Sequence, residues 1–296
     1  MSEPAETAVT PEMLERARAG RKGSIWNNVW GGVGLGILGL LLVSTAIAPE
    51  FLANADLKRT YQSPLTAPPF GTDDLGRPLL EYALQGASVV TIPAVLAGIL
   101  VSFLAVLSGL SRAAGLGWTD TLLQGFTEVV GALPRLVVVL VVALGVPREM
   151  RSLIPIGLTW AVLAAPGAMD EAAATAERLG GARFVEALRA HGFSAWRIYV
   201  YHIVWLNLRA VIVRQGSEVA MQVVFLEISL SYLAAARSEP SLTHGDNLQS
   251  WASLLYSGYT ALVASVPMYH ALGLGLGLVA LTAMMATAVR LSARPR

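Results

Sequence analysis

Uncharged, apolar runs alternate with short polar segments along this chain. Residues 23–49 and 82–111 hold no Asp, Glu, Lys or Arg. Residues 121–147 hold only Glu128 and Arg135, and residues 152–169 hold no charge. Residues 202–233 carry Arg209, Arg214, Glu218 and Glu227, and residues 248–289 are again free of charge. A bilayer's hydrocarbon core is about 30 Å thick, and roughly 20 apolar residues of helix cross it. Each of the first five runs therefore predicts one spanning helix, with Pro93 a kink site in the second. The sixth run is too long for one crossing. Residues 251–259 are read as an interfacial piece and residues 260–289 as the span. The pattern predicts an all-α polytopic membrane bundle of about six transmembrane helices.

The polar segments divide the chain further. Residues 1–24 read as an N-terminal tail with a short helix over 13–19, and residues 25–296 as the transmembrane domain. Glu3, Glu6 and Glu12 precede the first run, which argues against a cleaved signal peptide. Loops 49–81 and 234–250 fall on one side of the membrane and loop 170–201 on the other. With the N-terminus inside, the inner segments collect Arg16, Arg18, Arg21, Lys22, Arg112, Arg178, Arg183, Arg189, Arg197, Arg290, Arg294 and Arg296. The outer segments collect only Lys58, Arg59, Arg77, Arg148, Arg151 and Arg237. Positive residues concentrate in cytoplasmic loops, so both termini are expected in the cytoplasm.

Composition narrows the function classes. Charged residues make up 14% of the 296 positions, against roughly 25% in an average soluble protein. Mean hydropathy is +0.58. An ordinary soluble enzyme and a disordered chain are both poor fits. The net charge of +1 offers no electrostatic support for binding nucleic acid. Cysteine is absent, which excludes disulfides and thiolate metal sites. No phosphate-binding loop, dinucleotide fingerprint or HExxH is present, and the four histidines lie in four different segments. The expectation is no catalytic residue, no metal site and no cofactor in this chain.

The charges inside the spans need partners, because a charge at the bilayer centre costs roughly 2.5–3.5 kcal/mol on insertion scales. Glu128 and Arg135 are seven apart and read as lying on one side of a helix, about 10 Å apart by its rise. Arg214 and Glu218 have the i, i+4 spacing of a pair on one helix face. Two readings stay open for Glu128, Arg214, Glu218 and Glu227. They line a translocation path or gate, or they hold helices or subunits together.

Loop 170–201 is rich in Ala, Glu and Arg, which favour helix. Glu186-Ala187-Leu188 reads as helix and Gly192 as its stop in a left-handed conformation. A second short helix carrying Trp196 and Ile198 then leads into the next span. Such an element is either a piece that docks into a partner and passes motion to the membrane, or a plain amphipathic helix lying in the headgroups.

These residues carry a resemblance. Glu186-Ala187-Leu188 with Gly192 is similar to the Glu-Ala-Ala…Gly coupling signature of permease subunits of ATP-binding-cassette importers. The resemblance is to the C-type subunit of the dipeptide/oligopeptide/nickel group. Upstream, Gly71-Thr72-Asp73-Asp74-Leu75-Gly76-Arg77 resembles that group's entry to the second span, with Gly86-Ala87 following. Asp120 and Leu133-Pro134 match an Asp and a Phe-Pro around the third span. Residues 227–233 look like the group's Glu-Ala-Ser-Leu-Ser-Phe-Leu. The likeness covers about 70–259.

The resemblance implies that Glu186, Ala187, Leu188, Gly192, Trp196 and Ile198 couple to an ATPase. It implies as partners a second homologous permease chain, two ATPase subunits that hold ATP and Mg, and an extracytoplasmic solute-binding protein. The setting would be a bacterial inner membrane, and the solutes peptides or similar small molecules. The chain also departs from the pattern. Trp205 follows His202-Ile203-Val204 where a proline is usual, and Tyr82, Ser88, Ala165 and Ala168 replace arginines. These departures motivate a second reading, a non-transporting subunit that scaffolds or regulates a larger assembly. A secondary transporter working alone is a poorer fit, since paired repeats are absent.

Overall fold

The computed structural model describes residues 11–147, 150–180, 183–237, 240–244, 248–266 and 268–293. The described residues form helices joined by loops and turns, without a strand. Five helices are long and apolar enough to cross a membrane, and a bent pair makes six. The expected polytopic bundle is therefore observed.

The first helix, α1, runs unbroken over Pro11–Ile47. It passes through the boundary that sequence places at residue 24 and absorbs the short helix expected at 13–19. The second, α2, spans Leu79–Ala114 and continues through Pro93. Ala87, Val90, Ala94, Ala97, Val101 and Ala105 recur at three- and four-residue steps and are at most 6% exposed. This stripe of small side chains lets neighbouring helices approach closely.

The third span is not one helix. It consists of α3, Gly117–Gly131, and α4, Arg135–Gly145. The two are bent by 82° at the break. Pro134 lacks an N–H and pushes Leu133 out of the helical region, which ends α3. The fourth helix, α5, covers Leu153–Gly180, eleven residues beyond the expected span end at 169. Its extension is the first third of loop 170–201, where Ala and Glu carry the helix on.

A short helix α6, Arg183–Ala190, follows. A π-helical segment over Arg197–Leu208 then runs directly into α7, Arg209–Ala236. The close approach of α2 and α7 depends on two glycines. A Cβ on Gly98 would lie 2.8 Å from the Gly216 carbonyl oxygen, and one on Gly216 would lie 2.4 Å from Ser102 Oγ.

The final run also differs from expectation. Residues 260–289 do not form one helix. Helix α8 spans Trp251–Val263 and α9 spans Tyr269–Ser292, with Ser265 at φ 58° in the turn between them. At 13 residues α8 is about 20 Å long, too short to cross. It is not a surface piece either. Trp251 is fully buried, and its indole N–H donates to the Ala83 carbonyl at 3.0 Å, pinning α8 to α2.

Candidate functional site

The α6 segment ends as its sequence predicts. Gly192 has φ +78°, its N–H donates to the Arg189 carbonyl at 2.9 Å, and the Phe193 N–H donates to the Leu188 carbonyl at 3.1 Å. That pair of bonds is a Schellman cap, which satisfies two end carbonyls and needs a residue free to adopt positive φ. Glu186 and Ala187 are exposed, Leu188 is half-buried, and Val185 is turned inward. Arg189 hydrogen-bonds the Tyr199 hydroxyl, and the Arg197 guanidinium sits 4.9 Å from the Phe193 ring centre. These contacts fold α6 back onto the start of the next segment. Trp196 stands 76% exposed at the junction, and Ile198 two residues on is buried.

The π winding went unrecognised in the sequence. Ile198, Ile203 and Leu208 are all buried, one every five residues. In an α-helix a step of five turns a side chain about 140° off its face. An i→i+5 winding brings it back toward that face. The five-residue spacing was the available signal. Ile203 and Leu208 pack with Ala176 of α5, with Ala113 at the end of α2 beside them. The π segment thus links α6 mechanically to α2, α5 and α7.

The structure rearranges the intramembrane charges. Arg214 and Glu218 do not pair with each other. Arg214 binds Glu171 of α5, whose other oxygen accepts from Gln215 at 2.6 Å. Glu218 lies 3.7 Å from Arg290 of α9 and accepts from Gln222, which in turn accepts from the Trp160 indole N–H at 3.0 Å. Tertiary partners win over the i, i+4 neighbour because Arg placed before Glu is the weaker helical orientation. Sequence reading missed Glu171 and Arg290 as partners, since one was assigned to a loop and the other to the tail. Glu171, Arg178, Asn207, Arg214 and Arg290 line a cleft of about 630 Å³ between α5, α7 and α9.

Glu227 is fully buried near the opposite end of α7. One carboxyl oxygen accepts from the Ser231 hydroxyl at 2.8 Å, and Ser231 contacts Thr243 at 2.7 Å. The Ser241 hydroxyl lies 3.1 Å from that of Thr243. The other oxygen has no hydrogen-bond partner among the described residues. The carboxyl thus meets residues 241–243 and not open space. Glu128 and Arg135, read as sharing one helix, sit on either side of the α3–α4 break and are both exposed.

Three of the four positions that replace the pattern's arginines, Tyr82, Ala165 and Ala168, are buried and closed to that side chain. The Tyr82 hydroxyl donates to Asp73 at 2.6 Å, in the turn that enters α2. Ala165 and Ala168 are 0% and 1% exposed within α5. With Trp205 in the proline's place, every residue of the π segment keeps its N–H donor.

No protein-family model matches the chain. It is 26% identical over 238 residues to the oligopeptide transport system permease protein OppC of Bacillus subtilis (strain 168), covering 78% of this chain and 73% of that protein. It is 24% identical over 224 residues to the probable D,D-dipeptide transport system permease protein DdpC of Escherichia coli (strain K12), covering 71% and 72%. Both likenesses run over most of an all-α multi-pass chain. The chain is thus a divergent relative of the C-type permease subunits of oligopeptide and dipeptide transport systems.

Proposed function

We propose that this chain is the permease subunit of an ATP-driven importer in a bacterial inner membrane, with both termini in the cytoplasm. It pairs with a second, homologous permease chain. Two ATPase subunits hold ATP and Mg and hydrolyse the nucleotide outside this chain, which carries no cofactor of its own. An extracytoplasmic binding protein delivers the solute, and the names of both relatives favour peptides or similar small solutes.

The observation that carries this reading is the capped α6 helix. Its Glu186, Ala187 and Trp196 are presented outward, while Ile198, Ile203 and Leu208 of the π segment behind it are packed into the bundle. A partner that grips Glu186, Ala187, Leu188 and Trp196 moves Gly192, Ile198 and then α7. Conformational change requires the partner to bind the two states differently, and the ATPase contact supplies that difference. Arg214 lines the cleft between α5, α7 and α9, and Glu218 lies 3.7 Å from Arg290 of the same cleft. They serve either as a gate on the path or as ties between its walls.

Affinity purification of the tagged chain from its own membranes tests the proposal. A second permease chain and an ATPase are expected to come with it. Recovery of the chain without an ATPase, alongside unrelated membrane proteins, favours the scaffolding role.

A further inference from the structure

The cleft between α5, α7 and α9 holds more positive charge than the bundle neutralises. Arg178, Arg214 and Arg290 line it, one from each helix, and Glu171 is the one carboxylate among its lining residues. Glu171 is taken up by Arg214 and Gln215. Arg290 comes only within 3.7 Å of Glu218, and its buried Nε has no hydrogen-bond partner among the described residues. Arg178 donates within its own helix, to the Ala174 carbonyl at 3.2 Å and the Thr175 hydroxyl at 3.4 Å. It pairs with no carboxylate among the described residues. With Glu218 counted, three guanidiniums meet two carboxylates, an excess of one positive charge. Guanidiniums with spare donors, converging from separate helices, hold an oxyanion by charge-assisted hydrogen bonds.

Position and lining narrow the choice of anion. The candidate spans of α5 and α9 end at Leu179 and Ser292, so Arg178 and Arg290 stand in the last turn of each. The ends of spanning helices lie among lipid headgroups. Val211, Leu291 and Ala293 give the cleft an apolar wall. Trp205 and Leu206, directly before the cleft residue Asn207, are both exposed, and tryptophan favours the membrane interface. The volume of about 630 Å³ has room for a glycerophosphate group. A free phosphate ion would satisfy the arginines and leave the apolar wall bare. A phosphodiester carries one negative charge, which balances the excess, and its acyl chains cover that wall.

We infer that the cleft seats the phosphodiester headgroup of an anionic phospholipid, held by Arg178 and Arg290, with acyl chain against Val211 and Leu291. Such an occupant ties α5 to α9 at the end of the bundle where α5 leads into α6. The inference draws on the cleft alone and needs neither an ATPase nor a second permease chain.

The purified full chain in neutral detergent provides the test. Dioctanoyl phosphatidylglycerol, dioctanoyl phosphatidylcholine and inorganic phosphate are titrated separately, and bound ligand is read by native mass spectrometry. Phosphatidylglycerol should bind at least about tenfold tighter than phosphatidylcholine. Arg178→Gln and Arg290→Gln should each weaken its binding about fivefold, whereas Lys58→Gln, in the loop before α2, should not. Arg178 bonds only its own helix, so Arg178→Gln keeps the helix packing and decides the matter even if Arg290→Gln, which also releases Glu218, folds poorly. Equal affinity for the two lipids, or a preference unchanged in Arg178→Gln, overturns the inference. Inorganic phosphate bound as tightly as phosphatidylglycerol, and lost in Arg178→Gln, assigns the cleft to a soluble anion and overturns the headgroup. None of these outcomes touches the permease reading, which co-purification tests separately.

Discussion

Gly192→Pro is expected to leave ATP hydrolysis running while solute movement per ATP falls at least about tenfold. Gly192 sits at φ +78°, and proline is locked near −65°. The substitution also removes the N–H that donates to the Arg189 carbonyl, so the cap is lost along with the backbone angle. A residue forced out of its allowed region costs about 1–3 kcal/mol, and a broken helix end about 1 kcal/mol more. Those costs fall on an exposed segment and spare the bundle, so the chain should still reach the membrane. What is lost is the fixed angle between α6 and the π segment. Gly192→Ala should show an intermediate defect, because alanine reaches positive φ only under strain. The measurement is solute transported per ATP hydrolysed in proteoliposomes containing the full complex. Unchanged stoichiometry with Gly192→Pro would mean that the cap transmits nothing.

Gly216→Leu should have the largest effect on the fold itself. Even a Cβ at this position would meet Ser102 Oγ at 2.4 Å and the Gly98 carbonyl oxygen at 3.0 Å. A full leucine drives α2 and α7 apart along their crossing. Overpacking costs typically 1–3 kcal/mol, and here the obstruction includes backbone that cannot swing aside. The folded chain should be recovered in sharply reduced yield from detergent, with an early thermal transition. Gly167→Leu is the matched control, since Gly167 is exposed on α5 with nothing within 4 Å of its Cβ position. Equal recovery of the two variants would show that the glycine contact does not hold the helices together.

The spans were legible because the bilayer imposes a blunt requirement, a long run without charge. The breaks within them were not. Hydropathy continues smoothly through 132–134 and 264–268, and proline alone does not locate a break. Helix α2 continues past Pro93 and α5 past Pro166, yet α3 ends before Pro134. The stop at Gly192 was readable because it is local, a glycine directly after a short helix. The partners of Arg214 and Glu218 are not local. They come from Glu171 and Arg290, 43 and 72 positions away, and the i, i+4 spacing pointed to the wrong contact. Glu227 was marked by its charge within a span, but its attachment to Ser231 and Thr243 depends on how loop 240–244 folds back.

The central claim is that α6 is the handle by which an ATPase moves this bundle. Ala187 is exposed on that helix, and the absence of cysteine makes Ala187→Cys a unique label site. The decisive measurement is its modification by a membrane-impermeant maleimide in oriented vesicles, with the ATPase subunits present and then stripped. The account predicts labelling only from the cytoplasmic face, fast in stripped vesicles and at least about tenfold slower once the ATPases are bound. Labelling from the opposite face, or a rate indifferent to the ATPases, would contradict it.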